Sequence, residues 1–103
     1  MSTSVRLGEA GSPIVLVARK RDGSLENLAT ATKLELRVVS PTAVRTVKSC
    51  SLVTDGSDAQ FSYTPDAAFW NELGEWTLQG YFEKPGGKVQ PLAPFKVQVL
   101  PNI

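Results

Sequence analysis

Side chains able to do covalent, acid–base or metal chemistry are few in this sequence, and their spacing suits that chemistry poorly. Histidine is absent from all 103 residues. That removes Ser-His-Asp and Cys-His nucleophile activation together with the commonest transition-metal ligand. The single cysteine, Cys50, can neither complete a tetrahedral zinc set nor close an intrachain disulfide. Asp55 and Asp58 around Gly56 place two hard oxygens near each other. With no distal Glu at calcium-loop spacing, an Asp-Gly-Ser-Asp stretch reads first as turn chemistry. Glu72 and Glu75 flank Gly74 and mimic an acid/base pair, but solvated acids are the default at a surface helix end. Gly86-Gly87 lacks both the strand-to-helix context and the Lys-Ser/Thr ending of a phosphate loop. The sequence therefore predicts no enzyme, no cofactor and no metal site.

Binding chemistry is better represented. Tyr63, Trp70, Trp76 and Tyr81 could form a sugar-stacking platform, which would make the chain a free-standing carbohydrate-binding β-sandwich. Trp76 shares its expected face with Leu78 and Phe82 and belongs to a core, whereas Tyr81 falls on the opposite face as an exposed contact residue. Arg19-Lys20-Arg21 reads as a solvated hairpin end rather than a phosphate grip. Met1 to Arg6 is rich in Ser and Thr and is expected to order when it lies along a neighbour. The candidate partner contacts are accordingly Tyr81, Lys84, Lys88, Arg19, Arg21, Val5 and Arg6.

The elements that must carry these residues are strands. Short apolar-alternating runs punctuated by Gly, Pro, Asp and Asn point to an all-β antiparallel sandwich of about seven strands. Arg6 and Leu7 start an edge strand, and Ile14 to Arg19 form the next, with Val15 and Val17 on one face. From Ala31 to Ser40, Leu34, Leu36 and Val38 alternate with Lys33, Glu35 and Arg37, the period of two of a half-buried strand. Pro41 ends that run. Val44 to Val47 and Ser51 to Thr54 form one interrupted strand or two short ones, and a tight turn at Asp55 to Asp58 leads into Gln60 to Tyr63. Thr64-Pro65-Asp66 followed by Gly74 predicts one short helical turn with Phe69, Trp70 and Leu73 leaning on the core. Glu75 to Phe82, a Pro85-Gly86-Gly87 hairpin, Val89 to Leu92 and Phe95 to Leu100 complete the set. The expected core is Leu34, Leu36, Val38, Phe61, Trp76, Leu78, Val97 and Val99.

A hydrophobic content of 42% with 20% charged residues is that of one globular domain, with residues 1–10 as an arm or edge strand and residues 11–103 as the sandwich. The formal charge of +1 gives no field to draw in nucleic acid or anionic lipid. Met1 to Ala10 has no signal-like apolar run and no stretch is long enough to span a membrane, so a mature, soluble chain is expected.

The order of the punctuation carries a resemblance. Gly11 and Pro13, Asp22-Gly23, Asn27-Leu28-Ala29-Thr30-Ala31-Thr32, Pro41, Thr54-Asp55-Gly56, Phe61-Ser62-Tyr63-Thr64-Pro65-Asp66, Gly74-Glu75-Trp76, Gly86-Gly87-Lys88 and the final Phe95, Val97 and Val99 follow one another from about Gly11 to Leu100. In this the chain resembles the immunoglobulin-like N-terminal domain of tailed-phage baseplate upper proteins and related small immunoglobulin-like modules of phage virions. The resemblance implies a non-enzymatic virion structural protein, assembled in the host cytoplasm. It would dock on tail, baseplate, neck or capsid proteins in multiple symmetric copies, with no nucleic-acid or membrane partner and at most weak glycan contact.

Overall fold

The alternation of Leu34, Leu36 and Val38 against charged neighbours builds an interior strand of the larger of two sheets. The computed structural model describes residues 3–20 and 22–101, and the side chains of all of these but Thr3 and Lys88. Nine strands are present among the described residues: β1 Thr3–Arg6, β2 Ile14–Val17, β3 Lys33–Val39, β4 Arg45–Ser49, β5 Ser51–Leu52, β6 Gln60–Tyr63, β7 Gly74–Lys84, β8 Lys88–Pro91 and β9 Phe95–Leu100. The large sheet runs β1-β9-β7-β3-β4, with β8 paired to β7 in line with β9, and the small sheet runs β2-β6-β5. Every pairing is antiparallel except β1 with β9, which is parallel.

The chain is an immunoglobulin-like β-sandwich. In the constant-type arrangement strands A, B, E and D form one sheet and C, F and G the other. Here β2, β6 and β5 hold the B, E and D places, β3, β7 and β9 hold C, F and G, and β4 extends the second sheet. The A place beside β2 is unfilled among the described residues, because β1 pairs with β9 instead.

Leu36, Val38, Phe61, Trp76, Leu78, Val97 and Val99 are buried as their alternation requires, while Leu34 is half-buried. Leu16, Ala18, Leu28, Phe69, Trp70 and Phe82 join them. Gly80 faces inward on β7, where a side chain would have to displace its neighbours. A Cβ there would lie 2.8 Å from Leu92 and 3.2 Å from Leu16 and Phe61.

Two expectations are narrowed and one is corrected. Of the two readings of the run after Pro41, two short strands is the one formed, and they lie in different sheets, β4 in the large and β5 in the small, with the crossing at Cys50. The expected helical turn is one turn and no helix occurs among the described residues: Phe69 N–H donates to the Asp66 carbonyl at 3.2 Å and Ala68 N–H to Asp66 Oδ1 at 3.0 Å. Asp66 thus satisfies the first donors in place of Thr64, and the chain leaves for β7 before a second turn can form. Leu73 does not lean on the core but is 52% exposed.

Candidate interaction surface

The outward residues of β3 and β7 are built from opposite charges around one ring. The register sets Lys33 beside Glu83, Glu35 beside Tyr81 and Arg37 beside Gln79. Arg37 lies over the Tyr81 ring, 3.7 Å from guanidinium carbon to centroid. The Tyr81 hydroxyl donates to Glu83 Oε2 at 2.9 Å, and Lys33 Nζ sits 3.4 Å from that same oxygen. Burial pushes the Tyr81 phenol above its ordinary value, and the Tyr81 hydrogen bond holds Glu83 below the usual carboxylate range. The expectation that Tyr81 is an exposed contact is corrected: at 8% exposure the ring is roofed by Arg37, whose planar cation stacks on an aromatic face.

Lys84 is also committed internally. Its ammonium lies 2.9 Å from Glu26 Oε1, and Glu26 is only 2% exposed. Arg19 stays at the surface, where its guanidinium closes the neighbouring turn on the Gly23 carbonyl at 3.0 Å and its own carbonyl accepts from Gln90 at 3.1 Å. Arg19 and Lys84 are thus joined to one end of the sandwich through the loop after β2. Val5 and Arg6 belong elsewhere, on β1. That strand, placed along a neighbour from the sequence, lies along β9 of its own chain, and Arg6 donates to the Pro101 carbonyl at 3.0 Å. Arg21, the Lys88 side chain, Met1 and Ser2 lie outside what the structure describes.

The carboxylates singled out for chemistry are tied to local donors. Asp55 Oδ1 accepts from Ser57 N–H at 2.9 Å and Ser57 Oγ at 2.6 Å, while Asp58 accepts from Thr54 Oγ1 and Gln60 N–H at 2.8 and 3.1 Å. Glu72 accepts from Thr42 at 2.8 Å, whereas Glu75 pairs with Lys96 at 3.5 Å. Among the described residues no three His, Cys, Asp or Glu groups gather as a metal site. Burial pushes the Cys50 thiol up to about 11, so it stays protonated and poorly nucleophilic at neutral pH. The aromatics are no open platform either. Trp70 and Trp76 are buried and meet edge to face at 5.3 Å, Phe69 lies 4.6 Å from Trp70, and Tyr63 is half-buried 5.2 Å from Phe69. Trp76 Nε1 is satisfied by the Glu72 carbonyl at 3.0 Å.

Of the candidate contacts, Val5 alone lines a groove at an open edge, and the apolar residues of β2 beside it are not among them. A groove of about 390 Å³ runs between β1 and β2, floored by Val5, Ile14, Trp70, Phe95 and Val97 with Glu9 on its wall. Beside it Val15 and Val17 share the outward face of β2, 48% and 38% exposed. A smaller groove of about 290 Å³ crosses the large sheet at β3, between β4 and β7, where Val39, Val47 and Pro94 lie among Arg37 and Arg45. The signal for the first was in the chain: Ile14-Val15-Leu16-Val17 is apolar at every position, the pattern of a strand meant to be covered on both faces.

No family model and no curated protein sequence matches the chain. The crystal structure of CopC from Methylosinus trichosporium OB3b is similar, with a TM-score of 0.62 at 10% identity over 99% of this chain and 86% of that one. Likeness at that identity concerns the fold alone.

Proposed function

We propose that this domain is a non-enzymatic structural module of a tailed-phage virion, docking through its sheet edges on tail, baseplate, neck or capsid proteins in many symmetric copies. The observation that carries this reading is apolar exposure at two open edges of a domain with almost no net charge. Val15 and Val17 stand on β2 at 48% and 38% exposure, and Val44 and Val47 stand at β4 at 57% and 55%. With a formal charge of +1, long-range steering contributes little, so association must come from short-range apolar and backbone contacts. The motif order from Gly11 to Leu100 supplies the virion context. The test is mass spectrometry of particles purified from the source, quantified against the major capsid protein. The domain is expected at a fixed ratio to it: a ratio near one indicates the head or tail tube, a much smaller one the neck or baseplate. Absence of the domain from the particles overturns the proposal.

A further inference from the structure

The small sheet ends on a strand with one side unused. Among the described residues β2 pairs only with β6. On the rung after Val17 and Gln60, Ala18 N–H donates to the Ala59 carbonyl at 2.8 Å. Antiparallel rungs alternate, so Ile14 and Leu16 turn their backbone groups to β6 while Val15 and Val17 turn theirs away. Those N–H and C=O groups have no partner among the described residues.

Edge strands are ordinarily guarded by charge, proline or brevity. The other edges follow that rule: β4 carries Arg45 and Lys48, β1 carries Arg6, β8 ends on Pro91 and β5 has two residues. β2 has neither charge nor proline within Ile14–Val17. Beside it lies the apolar groove floored by Val5, Trp70, Phe95 and Val97, in the place where the immunoglobulin pattern has strand A. The ends of this slot differ in sign. Glu9 lines the groove before β2 begins, and the exposed Arg19 and Lys20 follow its other end.

We infer that β2 is completed by an extended strand of a partner protein, antiparallel to it, with alternate apolar side chains in the groove. Its acidic residue lies at the N-terminal end beside Arg19 and Lys20, and its basic residue at the C-terminal end beside Glu9. This rests on the reading of the domain as a docking module and names the contact. Backbone bonds to Val15 and Val17 supply the adhesion, and the groove selects the side chains.

The probe is the acetylated, amidated peptide Asp-Thr-Val-Thr-Val-Thr-Val-Lys, added to the full chain at about 1 mM while amide hydrogen exchange is followed residue by residue. In the free chain the Val15 and Val17 amides are expected to exchange about 100-fold faster than those of Leu16 and Ala18, and the peptide to slow them about tenfold or more while the β4 amides keep their rates. Val17→Pro deletes an outward N–H, leaves the β2–β6 rungs whole and should abolish peptide protection at Val15. Val17→Thr keeps the N–H and should keep the protection. Unchanged exchange at Val15 and Val17 in the wild-type chain overturns the inference. So does protection that grows with chain concentration before peptide is added, which assigns the edge to a second copy. Particles that incorporate Val17→Pro at the wild-type ratio also overturn it while leaving the virion role intact. Peptide protection in a chain absent from particles removes the virion role and leaves the strand site.

Discussion

Arg37 covers Tyr81: its guanidinium carbon stands 3.7 Å above the ring centroid, and the ring, on the sheet's outer face, is 8% exposed. Alternation assigned Tyr81 to the correct face, but face and exposure are separate quantities. Arg37, two residues beyond the directly opposite Glu35, is long enough to reach diagonally across the pleat and lie on the ring.

Arg37→Ala is therefore expected to uncover Tyr81. Nitration by tetranitromethane, located by peptide mass spectrometry, should be slow at Tyr81 in the wild-type chain and several times faster in the variant. Arg37→Lys should protect only in part, because an ammonium lacks the flat face that stacks. Equal nitration in all three chains would mean that Arg37 does not shield the ring.

Leu36 has no exposed surface and sits on β3, paired on both sides by β7 and β4. Leu36→Ala should cost about 2–5 kcal/mol, measured by denaturant unfolding, as large-to-small core changes do. An unchanged midpoint would contradict the packing.

The two Asp-Gly-Ser turns make an internal comparison. In each, the serine N–H and hydroxyl both donate to one carboxylate oxygen, at 2.9 and 2.6 Å, for Asp22 with Ser24 and for Asp55 with Ser57. Their glycines have φ of +88° and +93°, yet a Cβ at Gly23 meets nothing within 4 Å while one at Gly56 would fall 2.5 Å from the Ala29 backbone nitrogen. Gly23→Ala should cost about 1–2 kcal/mol from backbone strain alone. Gly56→Ala should cost clearly more, since Leu28 N–H also donates to the Gly56 carbonyl at 2.8 Å and the two loops must part. Similar losses in paired thermal melts would refute the close approach.

These turns show what the chain makes legible. Asp-Gly-Ser announces a turn through local hydrogen bonding, and Leu34, Leu36 and Val38 announce a buried face through period. Local chemistry and local period are readable in a single chain. Partnership across the fold is not. Nothing near Cys50 says that the chain changes sheets there, and nothing near Lys84 names Glu26, 58 residues away. Nor does the apolar run Ile14 to Val17 reveal that only one of its edges is paired.

Acid sensitivity should concentrate in the same groups. The serine hydrogen bonds hold Asp22 and Asp55 below the ordinary carboxylate range, and the Tyr81 hydroxyl does so for Glu83. A carboxylate whose folded pKa is lowered contributes stability that is complete above its unfolded pKa and lost as pH falls through the folded value. The melting midpoint should therefore hold at neutral pH and fall below about pH 4. Ser57→Ala removes the 2.6 Å donor to Asp55, so the Asp55 carboxyl carbon, followed by NMR, should titrate at higher pH than in the wild-type chain. An unmoved titration would show that the serine does not set it.

The contact between Lys84 and Glu26 ties the β7–β8 hairpin to the loop that follows β2, and it does so with a carboxylate whose side chain is 3% exposed. Removing the lysine takes one charge-assisted hydrogen bond from a poorly solvated carboxylate, a larger loss than the pair's own net contribution. Lys84 is 20% exposed, which moderates the effect through solvent screening. Lys84→Met keeps the aliphatic stem and discards the charge. It should lower stability by about 1–3 kcal/mol at neutral pH, the cost of taking one charge-assisted hydrogen bond from a buried group. Glu26→Gln with Lys84→Met should be less damaging than Lys84→Met alone, because the neutral amide can be buried at lower cost. Denaturant unfolding of the four chains at pH 7 closes the cycle. A double variant no more stable than the Lys84→Met chain would mean that the buried charge is not what the lysine holds in place.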